Sequence, residues 1–310
     1  KGLAGPKSLK LTVKRKYRHV LGRKLQCALR RDRRDGALVG AERAVCGIAG
    51  FLGQPRASEP RALIGGMVDA IAHRGPDDSG LFLADGVALG HARLSIIDVS
   101  AGQQPMADEE AALQVSFNGE IFNYIELRDD LIERGYRFRT HSDTEVILKA
   151  YQAFGPDCVQ RFNGDFAFAL WDARRRRLML ARDRMGVRPL FYAQRPDGLF
   201  FASEVKALLQ VPGIAAELDP VALDQIFTLW CPLPPRTAFK DILQLPPAHL
   251  LIAERGQVTV RPYWRLEFPQ DGAVPSPDRA GEDALAAELR ALLTDATRIR
   301  LRSDVPVGSY

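Results

Sequence analysis

Residues 42–53 read ERAVCGIAGFLG, with Cys46 at the head of an apolar run that glycine punctuates three times. A short continuous apolar run closed by glycine and a Gln-Pro pair is the pattern of a strand buried on both faces. A lone cysteine in such a run reads more often as a small core hydrophobe than as a nucleophile. If Cys46 is a nucleophile instead, the 45 residues ahead of it need an explanation.

Those leading residues differ in kind from the rest. Residues 1–44 carry 14 of the 43 Lys and Arg but only 3 of the 38 Asp and Glu, leaving the other 266 residues with 29 basic and 35 acidic groups. The overall net charge of +5 therefore hides a leader of +11 and a body of −6. A nucleic-acid role would rest on the leader alone. The leader has no sustained apolar segment, so it does not read as a secretory signal. The reading that fits best takes Val45 as the initiator, since a GUG codon gives valine inside a frame and methionine at a start. On that reading residues 1–45 form a basic leader outside the mature protein. A cleaved propeptide is the second reading and a working basic arm the third.

At 310 residues the chain exceeds one typical domain. Apolar residues at 46% and charged residues at 26% fit a soluble globular protein. No apolar run approaches the ~18 residues of a membrane span. Cys27, Cys46, Cys158 and Cys231 are scattered without a C-x-x-C pair. That spacing argues against disulfides or a metal site and for the reducing cytoplasm. Neither nucleic acid nor membrane is expected as a partner.

Beyond the strand at Cys46, helical spacing over EPRALIGGMVDAIAH (59–73) places Leu63, Met67 and Ile71 on one face. Strands are expected at 87–93, 113–118, 166–171, 178–182, 189–193 and 199–203. Two helices, near 124–134 and 143–154, lie among them, the second with Asp143 at its N-cap and Gly155 at its end. Strands in runs with helices in pairs point to layered sheets with helices outside. Proline-rich connections from about residue 212 surround a helix at 220–230. A loop, DGAVPSPDRAGED, then feeds an amphipathic helix at 282–300 carrying Leu285, Leu289, Leu292 and Leu293. SDVPVGSY (303–310) reads as the start of a further strand.

Taken singly, the remaining motifs have bland readings. HRGPDDSG is a turn signal, the Asn-Gly pair of FNGEIFN is a hairpin signal, Arg93 is an ion-pair residue and Asp143 a helix cap. Together and in order they are specific. CGIAGF (46–51), HRGPDDSG (73–80), GHARLSIID (90–98), FNGEIFN (117–123), HSDTEVI (141–147), FNGDFAFALWD (162–172), RDRMGVRPLFY (182–192), FASEVKAL (201–208) and RLRSDVPVG (300–308) resemble the glutamine-dependent asparagine synthetase family. The first eight resemble its glutamine amidotransferase domain, of the N-terminal-nucleophile hydrolase type.

The resemblance implies an α+β fold, a four-layer αββα sandwich over 46–212. A connecting region at 213–280 would follow, and 281–310 would begin an α/β synthetase domain of the ATP-pyrophosphatase type, truncated before its ATP loop. It implies Cys46 as nucleophile, with its own α-amino group as base, because no histidine stands in a suitable context. An α-amine titrates near ~7.7–8.0 and can both take and return a proton. That requires Cys46 to be the first residue of the mature protein; with a peptide bond on its nitrogen the glutaminase should be silent. Free glutamine also carries a carboxylate and an ammonium. Arg93 suits the first, since a guanidinium fork pairs two oxygens, and Asp143 with Glu120 suits the second. Asn118 and Gly119 suit the oxyanion, and the resemblance gives Arg74 a part in ordering the loop over the pocket. ATP, Mg2+ and aspartate would serve the synthetase half, with no cofactor for the glutaminase, and a homodimer is implied by resemblance. One departure stands out: Ala248 in LPPAHL occupies a position where the resemblance suggests glycine. Two other classes fit the leader or the missing half: an amidotransferase for a natural-product or cell-surface acceptor, and a non-catalytic relative with a blocked Cys46 and a nucleic-acid-binding arm.

Overall fold

The apolar run after Cys46 forms strand β1 (Gly47–Gly53), in a computed structural model that describes residues 45–55, 59–98, 101–268 and 279–305. It is central because both its edges are paired, antiparallel, with β3 (Val87–Arg93) and β9 (Gly198–Ala202). The sheet is completed by β2 (Asp78–Ala84) outside β3, and by β8 (Phe191–Arg195) and β10 (Leu243–Gln244) beyond β9. A second sheet runs β12-β11-β7-β6-β5-β4, comprising Gln257–Pro262, His249–Glu254, Arg177–Arg182, Gly164–Asp172, Leu113–Ile121 and Met106–Ala107 respectively.

Strand alternation builds the layers. On β6, Ala167, Ala169 and Trp171 join Ile48, Leu89 and Phe201 of the first sheet in the core between the sheets. The intervening Phe166, Phe168 and Leu170 face the other way, against helices α2 (Tyr124–Glu133) and α3 (Asp143–Phe154). Helices α1 (Pro60–Ala70) and α4 (Val205–Leu208) cover the outer face of the first sheet, where Leu63, Ile64 and Met67 meet Ala49, Phe51 and Phe200. The order is helix, sheet, sheet, helix, the αββα sandwich expected. Burial on both faces explains why FAFALW is apolar without alternation.

Several expectations shift. The sandwich does not stop at residue 212: β10 joins the first sheet, and β11 and β12 extend the second. That correction has a local cause. Leu250 and Ile252 pack into one core and Leu251 and Ala253 into the other, a strand pattern masked in the sequence by the prolines before it. Asn118-Gly119 is not a hairpin turn but lies mid-strand in β5, facing Ala167 and Phe166 of β6. The N-cap of α3 is Ser142, whose Oγ accepts the N–H of Thr144, with Asp143 at the first helical position. Gly155 ends that helix at φ 62°, as anticipated. Strand β2 was not anticipated, because its residues are half-exposed and mixed.

Helix α5 (Pro220–Leu229) forms with Asp219 as N-cap, and α6 spans Arg279–Arg300. Leu285, Leu289, Leu292 and Leu293 of α6 are all exposed. No helix among the described residues is long and apolar enough to cross a membrane. The leader at 1–44, most of the loop before α6 and the end of the strand expected at 303–310 lie outside the described residues.

Ala248 sits in the left-handed region at φ 59°. Its N–H donates to the Asp183 carbonyl and its carbonyl accepts from Tyr263 at 2.8 and 2.9 Å, so the conformation is fixed from both sides. An L-residue there costs about 1–2 kcal/mol, against the ~0.4–1 kcal/mol that glycine forfeits through the unfolded chain. Ala248→Gly is therefore expected to stabilise the protein by about 0.5–1 kcal/mol, read as a higher denaturation midpoint at unchanged slope. An unchanged or lower midpoint would contradict it.

Candidate active site

Cys46 belongs to the first sheet and Asn118 to the second, so their meeting depends on what draws the sheets together at this end. Two hydrogen bonds cross between β3 and β5. Ser116 Oγ donates to the Gly90 carbonyl, and the His91 ring bonds the Phe117 carbonyl through Nε2, both at 3.0 Å. Burial pushes the His91 pKa down to about 4. The ring is therefore neutral, and because a carbonyl can only accept, Nε2 carries the proton.

Cys46 lies immediately before β1. Its Sγ accepts the Leu94 N–H at 3.3 Å and lies 3.4 Å from the Leu94 carbonyl. Burial pushes its thiol up; the Leu94 N–H and the Arg93 and Arg188 guanidinium groups oppose that, while Asp143 reinforces it. Its backbone is held separately. Arg74 Nε donates to the Cys46 carbonyl at 3.0 Å and Arg74 Nη1 to Glu204 Oε1 at 2.9 Å. Next to it, Ser203 Oγ accepts the Ile48 N–H at 3.0 Å. Arg74 thus binds the head of β1 and is not among the residues lining the pocket.

On β5, Ser116, Asn118 and Glu120 share the face turned toward the first sheet. Asn118 is fully buried, and neither its amide nitrogen nor its oxygen has a hydrogen-bond partner. A buried amide with both ends unsatisfied is rare enough in folded proteins to require a reason. Gly119 has φ 145°, and a Cβ there would lie 2.0 Å from the Asp165 carbonyl oxygen. Only glycine lets β5 approach β6 this closely. Glu120 is half-buried, and burial raises its carboxyl pKa, with Asp165 adding and Arg188 and Arg300 opposing.

Asp143 reaches into the pocket from the first turn of α3, where the helix dipole favours a carboxylate. Its Oδ2 accepts the Ile121 N–H at 3.0 Å. Burial nonetheless wins, and with the Glu120 charge it pushes the Asp143 pKa up to about 7. Arg93 ends β3, is buried, and donates from Nη2 to the Asp98 carbonyl at 2.9 Å.

One pocket therefore gathers Cys46, Arg93, Asn118, Gly119, Glu120 and Asp143. Of the residues singled out from the sequence, Arg74 alone stands behind it. The sequence reading missed Gln104 and Arg188, which also line the pocket. Gln104 Oε1 accepts the Phe117 N–H at 2.6 Å and its Nε2 donates to Thr144 at 3.3 Å. Arg188 brings a second cation close enough to act on both Cys46 and Glu120. Its place within RDRMGVRPLFY was the available signal, but nothing in spacing distinguishes it from the motif's other arginines. The pocket thus carries a thiol, an amide with free donors, two cations and two carboxylates.

The glutamine amidotransferase domain model matches residues 45–264. The chain is 37% identical over 270 residues to asparagine synthetase [glutamine-hydrolyzing] 3 of Bacillus subtilis, covering 86% of this chain and 43% of that protein. It is 35% identical over 289 residues to the amidase chry2 of Gibberella zeae, covering 86% of this chain and 40% of that one. The chain spans less than half the length of either. Among solved structures, the glutamine phosphoribosylpyrophosphate amidotransferase of B. subtilis superposes with a TM-score of 0.54 at 19% identity, over 71% of this chain and 49% of that one. That likeness shows the fold alone, the helix–sheet–sheet–helix sandwich described above. By the match over 45–264, which takes in both sheets and every pocket residue, the chain belongs to the glutamine amidotransferase domain family.

Proposed function

We propose that this protein hydrolyses glutamine at Cys46 and supplies the ammonia to a glutamine-hydrolysing asparagine synthetase reaction. The observation that carries the proposal is the buried, unpartnered Asn118 amide in the same pocket as the Cys46 thiol, with Arg93 and Asp143. This arrangement suits an α-amino acid with a side-chain amide: Arg93 pairs the carboxylate, Asp143 and Glu120 the ammonium, and the amide carbonyl falls between the thiol and Asn118.

In the proposed reaction the free α-amine of Cys46 takes the Sγ proton and the thiolate attacks the amide carbon. The oxyanion receives N–H donors from Asn118 and Gly119. The amine returns its proton to the departing nitrogen, the C–N bond breaks, and ammonia leaves a thioester. Water adds, giving its proton to the amine, and the C–S bond breaks to release glutamate and restore the thiol. Arg74, fixed by Glu204, positions the Cys46 backbone on which that amine sits. In the full chain Val45 acylates the nitrogen, so activity requires a chain that begins at Cys46.

The synthetase half of the proposal uses ATP with Mg2+ to activate aspartate, in a cytoplasmic enzyme that would work as a homodimer. The 37% identity to a glutamine-hydrolysing asparagine synthetase supports that acceptor. The amidase at 35% identity favours a second reading, an amidotransferase with another acceptor. Asparagine formed from aspartate, ATP and glutamine separates the two.

Glutamine binding has a proton signature. Asp143, held protonated up to about 7, must ionise to pair an ammonium. Proton and ligand compete, so affinity rises as pH rises toward 7 and levels off above it. With Cys46→Ala blocking turnover, titration calorimetry at pH 6 in two buffers should show roughly one proton released per glutamine bound. Asp143→Asn removes that release. Absence of glutamine binding would overturn the functional reading.

A further inference from the structure

LSIID (94–98) and SDVPVG (303–308) belong to the resemblance, yet neither takes part in the chemistry above. Their described residues, 94–98 and 303–305, meet in the structure. Asp304 Oδ2 accepts the Asp98 N–H at 2.7 Å, and the Asp304 N–H donates to the Ile96 carbonyl at 3.1 Å. Asp98 in turn is held from every side. Its carbonyl accepts from Arg93 Nη2 at 2.9 Å and from the Gly102 N–H at 2.8 Å. Its carboxylate accepts the Ala101 N–H at 3.1 Å and the His141 N–H at 2.8 Å. Its backbone is left-handed, φ 46°, a conformation a non-glycine residue keeps only where its surroundings over-determine it.

The segment around Asp304 has its own anchors. Arg302 Nη1 donates to the Phe122 carbonyl, and its guanidinium forks onto Glu126, with 2.7 Å to Oε2. The Arg300 guanidinium lies 4.4 Å above the Phe122 ring and 3.6 Å from Asp165. Residues 300–304 therefore grip both rims of the pocket: the end of β5, which carries Asn118 to Glu120, and the loop that follows Arg93.

We infer that Asp304 and Asp98 are positioning residues for glutamine binding. Asp304, on the segment after α6, pins the strained Asp98 backbone, and the Asp98 carbonyl aims the Arg93 guanidinium at the substrate carboxylate. Loss of the Asp304 carboxylate removes the acceptor of the Asp98 N–H and loosens a left-handed turn then held only by the Ala101, Gly102 and His141 N–H groups, so the Asp98 carbonyl aims Arg93 less tightly. The Cys46 backbone anchor and the Asn118 donors sit on other elements, and the Cys46 thiol meets this segment only at Leu94, four residues before Asp98. The effect thus falls on substrate binding through one group of the substrate. The inference rests on the reading of this pocket as a glutamine site.

The test uses the protein beginning at Cys46, with L-glutamine and its α-methyl ester as substrates; the ester lacks the carboxylate that Arg93 pairs. Asp304→Ala is expected to raise KM for glutamine about tenfold, the loss of one hydrogen bond to a charged acceptor. kcat should stay within about twofold, and KM for the ester should not change. Asp304→Asn keeps an acceptor oxygen and should restore most of the affinity. A KM for glutamine unaltered by Asp304→Ala overturns the inference. Equal increases for both substrates, or a fall in kcat matched by a lower melting temperature, overturn it too, because either marks a general structural role. A wild-type protein that hydrolyses neither substrate would instead overturn the glutamine reading beneath it.

Discussion

Replacing Cys46 by alanine removes glutamine hydrolysis, lowering kcat by about 10⁴-fold or more, while glutamine still binds. The size follows from the chemistry: without a covalent intermediate, water must attack an unactivated primary amide. Binding persists because Arg93, Asp143 and Glu120 lie on β3, α3 and β5, and none is held by the Cys46 side chain. Among the described residues no other thiol can substitute. Cys158 is fully buried among apolar residues with its thiol pushed far up, and Cys231 is exposed on the loop after α5 and does not line the pocket. Glutamate release, measured alongside calorimetric binding, checks both halves. Retention of more than a few per cent of the wild-type rate would mean that the nucleophile lies elsewhere.

Gly119→Ala is expected to disable both the fold and the site. The added Cβ would sit 2.0 Å from the Asp165 carbonyl oxygen and 2.7 Å from the Phe166 Cα, both backbone atoms of the paired strand. Neither atom can swing aside as a flexible side chain can. β5 and β6 must therefore separate, or Gly119 must leave φ 145° and carry Asn118 with it. Backbone strain of about 1–3 kcal/mol and overpacking of about 1–3 kcal/mol add to a destabilisation of roughly 3 kcal/mol or more. Any molecules that remain folded should lose about 10²-fold or more in kcat, because both proposed oxyanion donors are displaced. Urea denaturation measures the first effect, and kcat of the folded protein at low temperature the second. Wild-type stability with wild-type kcat would show that the strand carries slack that its packing does not suggest.

The pocket residues were legible through the ordered motifs of the resemblance: singly, Cys46 reads as a core hydrophobe, the FNGE segment as a hairpin and Arg93 as an ion-pair residue, yet the structure gathers all of them in one pocket. Other features depended on long-range packing. β11 and β12 follow a proline-rich stretch that reads as connection, and only the pairing of β11 with β7 and of β12 with β11 makes them strands. Asn118-Gly119 has the strongest local hairpin signal, yet burial between two sheets holds it mid-strand. Ser142 rather than Asp143 caps α3, leaving the Asp143 carboxylate to the pocket, a division of labour that adjacent residues in sequence do not disclose. Arg74 was expected to order the loop over the pocket, whereas in the structure it binds the Cys46 carbonyl, 28 residues away, a contact no local pattern discloses. Arg188 and Glu204 lie within motifs of the resemblance, but nothing in their spacing marks the contacts they make.

The central claim is that Cys46 acts with its own α-amine, and the intact mass of the protein made from its native gene with its own upstream DNA tests it most directly. A mass that begins at Cys46 is the predicted result, with the nitrogen free and residues 1–45 absent from the mature protein. A mass that retains residues 1–45 in an active glutaminase would contradict it, because the acylated nitrogen would then have no part as the base.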